Sequence, residues 1–231
     1  MIALLRTPRW IGFTALALVA IIGFGLLSRW QWQRAEEHRI ERLTIEQGIE
    51  IDGWTTDVSA LDAFSRVQVR GMFRDELTTL VRQRPQDGGN GFWVITPLDM
   101  ESQRGLVWVI RGWVPASADA LEKPTVAPAP AGSIEIAGAI REFEPPRANV
   151  SGLPSGVISR MSIEELPDVG PVQDRVVQVI TSKPLDDLAV VELPQVDEGQ
   201  NISYAVQWII FAIIAIGGWY IFLRREAQTE N

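Results

Sequence analysis

Histidine and cysteine, two of the side chains most used in catalysis and metal binding, are nearly absent from this sequence of 231 residues. It has one histidine, His38, and no cysteine. The lack of cysteine excludes disulfides, thiolate metal sites and a cysteine nucleophile, and one histidine without evident co-ligands supports neither a zinc site nor a serine triad. Acidic pairs such as Asp186 and Asp187 are adjacent, so their side chains diverge and are typical of a solvated surface. We therefore expect a protein without enzymatic activity.

Haem is the one cofactor whose ligands the sequence offers, because histidine, methionine or tyrosine can bind its iron. His38 is the best-placed ligand, and Arg34 precedes it by about one helical turn, where a guanidinium can meet a propionate. Tyr204 is a second candidate. The alternative is that His38 is an exposed histidine of a charged helix and that Tyr204 marks a membrane interface. The sequence leaves both interpretations open.

Arg111 stands out because it lies in the most apolar segment of the middle of the chain, followed by Gly112 and Trp113. A charge inside a buried strand must be paired or must line a functional surface. The alternative is an arginine at the end of the strand, where it leans out to solvent and stacks on Trp113.

Two charge-free segments lie near the ends of the chain, at residues 10–28 and 204–223. The second is 20 residues long, which gives about 30 Å of helix and is enough to cross the hydrocarbon core of a bilayer. Aromatic residues at the ends of both segments predict interfacial belts. The lipid bilayer is thus a predicted partner. The net charge of −8 argues against nucleic acid, which needs a basic surface.

The basic residues Arg224 and Arg225 follow the second segment and predict that the C-terminus is cytoplasmic. With two spans the N-terminus is cytoplasmic too, in a cell membrane, and the middle of the chain lies outside. The predicted organisation is, in order, a tail at 1–9, a span at 10–28, a helical stalk at 29–48, an extracytoplasmic β domain at 49–203, a span at 204–223 and a tail at 224–231.

The middle of the chain changes from a helical to a strand-like pattern after Gly48, which we predict to end the stalk helix. Short apolar or alternating runs joined by turns predict a mainly antiparallel barrel or sandwich. Residues 115–132, rich in alanine and proline, predict an extended solvated loop. Weak helical patterns occur at 116–121 and 163–166. The predicted strands lie near residues 66–73, 77–81, 92–96, 106–114, 134–141 and 176–180.

The order of motifs resembles the surfeit locus protein 1 family. Trp30, Gln31 and Arg34 match its Trp-Gln-x-x-Arg motif after the first span, and Tyr204 with Trp208 match its Tyr-Ala-x-x-Trp motif at the second. Between them, further matching segments lie at residues 66–73, 91–98 and 109–115 and at Gly138 with Arg141. The matches cover essentially the whole chain, and their shared order is more specific than any one motif.

The resemblance implies a membrane-anchored, chaperone-like factor that assists assembly of cytochrome c oxidase, with its catalytic subunit as partner and haem a as a transient ligand. Many members carry a histidine before the second span, whereas this chain has Asn201 there, so it is identified as an actinobacterial-type variant that lacks the histidine. The residues predicted to bind the partner are Trp30, Gln31, Arg34, Arg111, Trp113, Tyr204, Gln207 and Trp208. The alternatives are a permanent accessory subunit of the oxidase or of a respiratory supercomplex, and a haem-carrying protein.

Overall fold

The computed structural model describes residues 6–100, 104–117, 123–147, 152–180 and 187–229. The chain forms two compact units, one of helices from the two ends of the chain and one of strands spanning Gln47–Pro194. Two long apolar helices thus flank one β domain with a barrel-like sheet, and the predicted fold class is confirmed.

The helical unit contains α1 (Pro8–Gln47) and α2 (Gly199–Thr229). Both are long and apolar enough to cross a membrane, with mean hydropathies of 2.3 and 2.0 in their most apolar windows. The predicted stalk is continuous with the first span, and Gly48 follows α1 with a φ of +25°. Helix α2 begins several residues before Tyr204 because the Gly199 amide donates to Asp197 Oδ1 at 2.8 Å, which satisfies one of the free amides of its first turn.

The β unit is a barrel closed by five strands. Its elements are β1 (Glu50–Trp54), β2 (Arg66–Phe73), β3 (Thr79–Val81), β4 (Gly91–Asp99), β5 (Leu106–Pro115), β6 (Ser133–Glu142), β7 (Val157–Ile158) and β8 (Val172–Val179). The order is β1-β2-β6-β8-β5-β4-β3-β7, and an additional pairing of β2 with β4 closes the ring. Most neighbours are antiparallel, but the β1–β2, β3–β7 and β5–β8 pairs are parallel.

The alternation of side chains along the strands places the core. In β2 the side chains of Val67 and Val69 are buried, whereas those of Gln68 and Arg70 are exposed. Strand β5 is buried along almost its whole length because β4 and β8 flank it. The apolar run of β5 therefore has the central position that its sequence predicts.

The strand predictions hold for six elements and miss two. Strand β1 is mostly exposed and contains Gly53 at a φ of +76°, so it lacks an apolar alternation. Strand β7 has only two residues and is held by β3. The helix predicted at 163–166 is wrong, because those residues form a turn. Of the pattern at 116–121, residues 118–121 lie outside the described residues, and the described part of the 115–132 loop includes the buried Ala129.

Candidate functional site

One side of α1 forms a seam with α2. Along this side, buried or half-buried residues recur at alternating intervals of four and three, the spacing of a helix packed against another helix. Trp219 Nε1 donates to Thr14 Oγ1 at 3.0 Å, and Ser28 Oγ donates to the Ala205 carbonyl at 3.0 Å. The helices are therefore antiparallel neighbours. The seam residues of α1 are Trp10, Thr14, Ala17, Ile21, Phe24, Ser28, Gln31, Ala35, His38 and Arg42.

We call the antiparallel pair of α1 and α2 the hairpin. The Ser28–Ala205 bond places the two predicted motifs at adjacent levels of the hairpin: residues 30–34 lie about 3–9 Å beyond Ser28 towards the end of α1, whereas Trp208 lies about 4–5 Å from Ala205 in the opposite direction. At about 100° per residue, the motif side chains of both helices project to the same side of the seam. Phe24 marks that side, since its ring lies 5.7 Å from that of Trp208 and 5.9 Å from that of Phe211. We call this set the motif surface: Trp30, Gln31, Arg34, Tyr204, Gln207 and Trp208.

The motif surface combines exposed rings with buried polar atoms. Trp30 is 54% exposed and Tyr204 is 43% exposed, and Arg34 pairs only along its own helix with Glu37 at 2.9 Å in the contacts described here. Gln31 Oε1 and Trp208 Nε1 are buried without a hydrogen-bond partner among the described residues. A buried polar atom without a partner is costly. Arg29 and Trp32, by contrast, project to the opposite side of the seam.

Of the three residues predicted to hold haem, the two candidate iron ligands, His38 and Tyr204, lie far apart, whereas Arg34 precedes His38 by one turn of α1. His38 lies about 15 Å farther along α1 than Ser28, whereas Tyr204 neighbours Ala205 at the level of Ser28. The His38 Nδ1 atom is 3.8 Å from Glu41 Oε2 and has no hydrogen-bond partner in the described structure. Among the described residues no group of three or more His, Cys, Asp or Glu side chains can hold a metal ion. His38 and Tyr204 therefore do not fit the two axial positions of one haem.

An ion pair joins Arg42, the last seam residue of α1, to Glu198, which directly precedes α2. Arg42 Nε and one terminal nitrogen donate to the two carboxylate oxygens of Glu198 at 3.1 and 2.9 Å. The hydrogen bonds and the charge of Glu198 raise the pKa of Arg42. A backbone hydrogen bond, together with Arg42, lowers the pKa of Glu198. Both groups thus remain charged, and their bidentate contact fixes the helix ends in register.

Arg111 and Trp113 are both inside the β unit, so they are not part of an exposed partner surface. Arg111 is only 2% exposed and donates to Thr96 Oγ1 and to the Ala127 carbonyl, each at 3.3 Å. Asp75 Oδ1 is 3.8 Å from its guanidinium. The prediction that Arg111 leans out to solvent is wrong, because these partners hold it in the barrel. Trp113 is buried and donates from Nε1 to the Arg84 carbonyl at 2.7 Å.

The sequence did not indicate a second charged cluster, around Glu144. Both terminal nitrogens of Arg84 donate to the Glu144 carboxylate, and the Met161 amide donates to it at 2.9 Å. Burial raises the pKa of Glu144, but the bonds from Arg84 and Met161 outweigh it, so that the pKa is lowered. The Arg84 guanidinium also lies 4.0 Å from the ring centroid of Trp93. Burial lowers the pKa of Arg141, whose guanidinium lies 5.8 Å from the same ring.

Two apolar helices that precede and follow one β barrel in the sequence, with the motif surface on the helices, define a class of membrane-anchored proteins. The model of the SURF1 family matches residues 18–213, and the chain belongs to this family. It is 26% identical over 253 aligned residues to uncharacterized SURF1-like proteins of Mycobacterium bovis and Mycobacterium tuberculosis. These alignments cover 100% of this chain and 89% of each relative. The predicted family is thereby confirmed.

Proposed function

We propose that this protein is a non-enzymatic, membrane-anchored assembly factor of cytochrome c oxidase that assists maturation of the catalytic subunit. Membership in the SURF1 family supports the connection to oxidase assembly. The two apolar helices support membrane anchoring. The finer parts of the proposal are that both termini are cytoplasmic, that the β domain is extracytoplasmic and that the assisted step is haem a insertion.

The observation that carries the proposal is the alignment of two distant motifs on one side of the hairpin. The Ser28–Ala205 hydrogen bond sets the level, and the helical repeat sets the side. The buried atoms Gln31 Oε1 and Trp208 Nε1 favour contact with a partner that supplies a donor and an acceptor. Exposed aromatic rings and an arginine are typical of the central residues of protein interfaces. We propose that the oxidase subunit docks on the motif surface.

The haem belongs to the oxidase in this proposal. His38 and Tyr204 are about 15 Å apart along the helices and cannot bind one iron together, so the proposal assigns a docking surface to the assembly factor; a haem carried on His38 beside Arg34, or on Tyr204, is the alternative. A permanent accessory subunit would use the same surface. The two roles differ in whether the protein stays with the mature enzyme in stoichiometric amounts.

The test compares two double variants with the same residue types. Trp30→Ala with Arg34→Ala alters the motif surface, and Trp32→Ala with Arg29→Ala is the control on the other side of α1. Trp30 and Trp32 are 54% and 57% exposed, so both pairs remove similar side chains. Each is expressed in cells that lack the wild-type gene, and reduced-minus-oxidised spectra of the membranes are recorded.

We expect the first double variant to lose most of the haem a band, with b and c cytochromes unchanged, and the control to retain it. Immunoblots must show equal amounts of both variants in the membrane. An unchanged haem a band in cells that lack the gene altogether would refute the role in haem a insertion. Equal effects of the two double variants would refute the motif surface as the docking site. Stoichiometric co-purification with mature oxidase would favour the accessory subunit.

A further inference from the structure

A cleft opens at the end of the hairpin opposite the motif surface. It has a volume of about 300 Å³ and is lined by Arg9, Trp10 and Phe13 of α1 and by Phe222 and Glu226 of α2. The Trp10 and Phe13 rings meet edge to face at 5.5 Å, and Phe13 meets Phe222 at 6.2 Å. The walls are therefore aromatic and held by both helices. Arg9 and Glu226 form an ion pair at 3.2 Å.

Trp10, which lines the cleft, carries a buried hydrogen-bond donor without a described partner. Its side chain is only 6% exposed because it packs in a cluster with Leu223, Trp219 and Ala227. The indole Nε1 is buried and has no hydrogen-bond partner among the described residues. An indole N–H can only donate, so it needs an acceptor such as an oxygen. Since Trp10 lines the cleft, a ligand there can supply that oxygen.

The charge around the cleft is positive. Arg9 neutralises Glu226 through their ion pair. Arg6 lies just before α1, and Arg224 and Arg225 lie between Phe222 and Glu226 in the sequence of α2, so that three further arginines belong to the same end of the hairpin, although they do not line the cleft. Basic groups between membrane helices at an interface attract anionic lipid headgroups. Aromatic rings at the same depth favour contact with the adjoining acyl chain.

From these observations we propose that the Arg9–Trp10 cleft binds one anionic phospholipid. An oxygen of its phosphate or ester group accepts the Trp10 N–H, the phosphate faces the arginines, and the start of an acyl chain lies against Phe13 and Phe222. Inorganic phosphate would leave the aromatic walls without contact. A phosphatidylcholine would bring its cationic headgroup to a positively charged site. The proposal does not depend on the oxidase or on the orientation of the protein.

The test measures lipid retention by native mass spectrometry of the full-length protein in mild detergent, after removal of bound lipid. Phosphatidylglycerol or phosphatidylcholine is then titrated back. We expect phosphatidylglycerol to bind about tenfold more tightly, since each nearby basic residue contributes measurably to attraction of an anionic headgroup. Millimolar inorganic phosphate should not compete. Competition by phosphate would show an inorganic anion site and overturn the proposal, as would equal binding of the two lipids.

Three variants test the assigned groups. Trp10→Phe keeps the ring but removes the donor, and we expect about fivefold weaker binding of phosphatidylglycerol. Trp208→Phe is the matched control, because it removes another buried indole N–H without a described partner, about 20 Å away along the seam beside Phe24. Glu226→Gln removes the one carboxylate that lines the cleft and should strengthen binding. A gain cannot result from misfolding, so a loss in Glu226→Gln, or equal losses in the two Trp variants, would overturn the proposal.

Discussion

Glu144→Gln is the sharpest test of how the β unit is held together. The Glu144 carboxylate accepts two bonds from Arg84 and one from the Met161 amide, and Arg160 lies 3.8 Å away. The side chains of Arg84 and Glu144 are only 12% and 21% exposed, so solvent screens the pair weakly. Glutamine has nearly the same shape, but its NH₂ group would face a guanidinium donor. The substitution therefore removes the charge and one acceptor with little change in packing.

The expected loss in the free energy of unfolding is about 3 kcal/mol at pH 7. A hydrogen bond to a charged group contributes about 1.5–3 kcal/mol, and removal of one partner of a buried ion pair costs about 3–5 kcal/mol. The lower part of the second range applies because the carboxylate keeps some contact with solvent. For a protein of this size, each kcal/mol lowers the midpoint of thermal unfolding by about 2–4 °C.

The pH dependence separates loss of the charge from loss of packing. The folded state lowers the pKa of Glu144, so the ionised carboxylate stabilises the protein above its unfolded pKa, and this contribution is lost as the pH falls through the folded pKa. The difference in stability between wild type and Glu144→Gln should therefore begin to shrink as the pH falls below about 4.5, the unfolded pKa, and should vanish only below the folded pKa. The measurement is urea unfolding of the full-length protein in detergent, followed by near-ultraviolet circular dichroism between pH 3.5 and 7.

The control is Glu142→Gln, which alters an exposed carboxylate at the end of β6. It should change the free energy of unfolding by less than about 0.5 kcal/mol. A difference between wild type and Glu144→Gln that persists unchanged at pH 3.5 would refute the electrostatic explanation. So would a loss at pH 7 no greater than that of the control.

Two further predictions concern the barrel. Arg111→Met should lower the free energy of unfolding by about 2 kcal/mol, because Thr96 and the Ala127 carbonyl lose a charged donor. Arg111→Lys should not restore the lost stability, since an ammonium lacks the planar guanidinium group that reaches both acceptors. Urea unfolding measures both, and full stability of Arg111→Met would show that the buried charge is dispensable. Gly71→Ala should lower the free energy of unfolding by about 3 kcal/mol or more, because its Cβ would lie 2.3 Å from the Asp99 carbonyl oxygen beside the β2–β4 pairing. Gly132→Ala meets no atom within 4 Å and should cost only the strain of a non-glycine residue at a φ of +84°, about 1–2 kcal/mol. Thermal unfolding of the two glycine variants should separate them clearly, and equal midpoints would contradict a closed barrel at that pairing.

The sequence predicted those elements whose physical pattern is local. Alternation revealed β2, and a continuous apolar run revealed β5 as a central strand. The Arg84–Glu144 pair was not predictable in this way, because 60 positions separate the two residues and a proline follows each of them. Strands β1 and β7 form because a neighbouring strand offers hydrogen bonds, and their own side chains carry little signal.

The candidate site was predicted in content but not in geometry. The residues of the motif surface were named, together with Arg111 and Trp113, from the order of motifs, and the structure places Arg111 and Trp113 inside the β unit instead. The seam was hidden because lipid-facing and helix-facing side chains of a membrane span are both apolar, so hydropathy does not distinguish them. Only its polar members could have revealed it, since Thr14, Ser28, Gln31 and His38 follow the same spacing of three and four.

The polar residues of the seam also explain why the two motifs must be held on packed helices to form one surface. A hydroxyl in a membrane helix seeks a partner on the neighbouring helix, and Ser28 finds it in the Ala205 carbonyl. Their bond fixes the register of the helices, whereas apolar contacts alone would permit sliding by a turn. With the register fixed, Gln31 and Trp208 lie on one side of the seam, about 9 Å apart along the hairpin, and keep a buried acceptor and a buried donor without a partner among the described residues. A single helix could display only half of this pattern, so recognition of both halves by a partner requires the assembled hairpin.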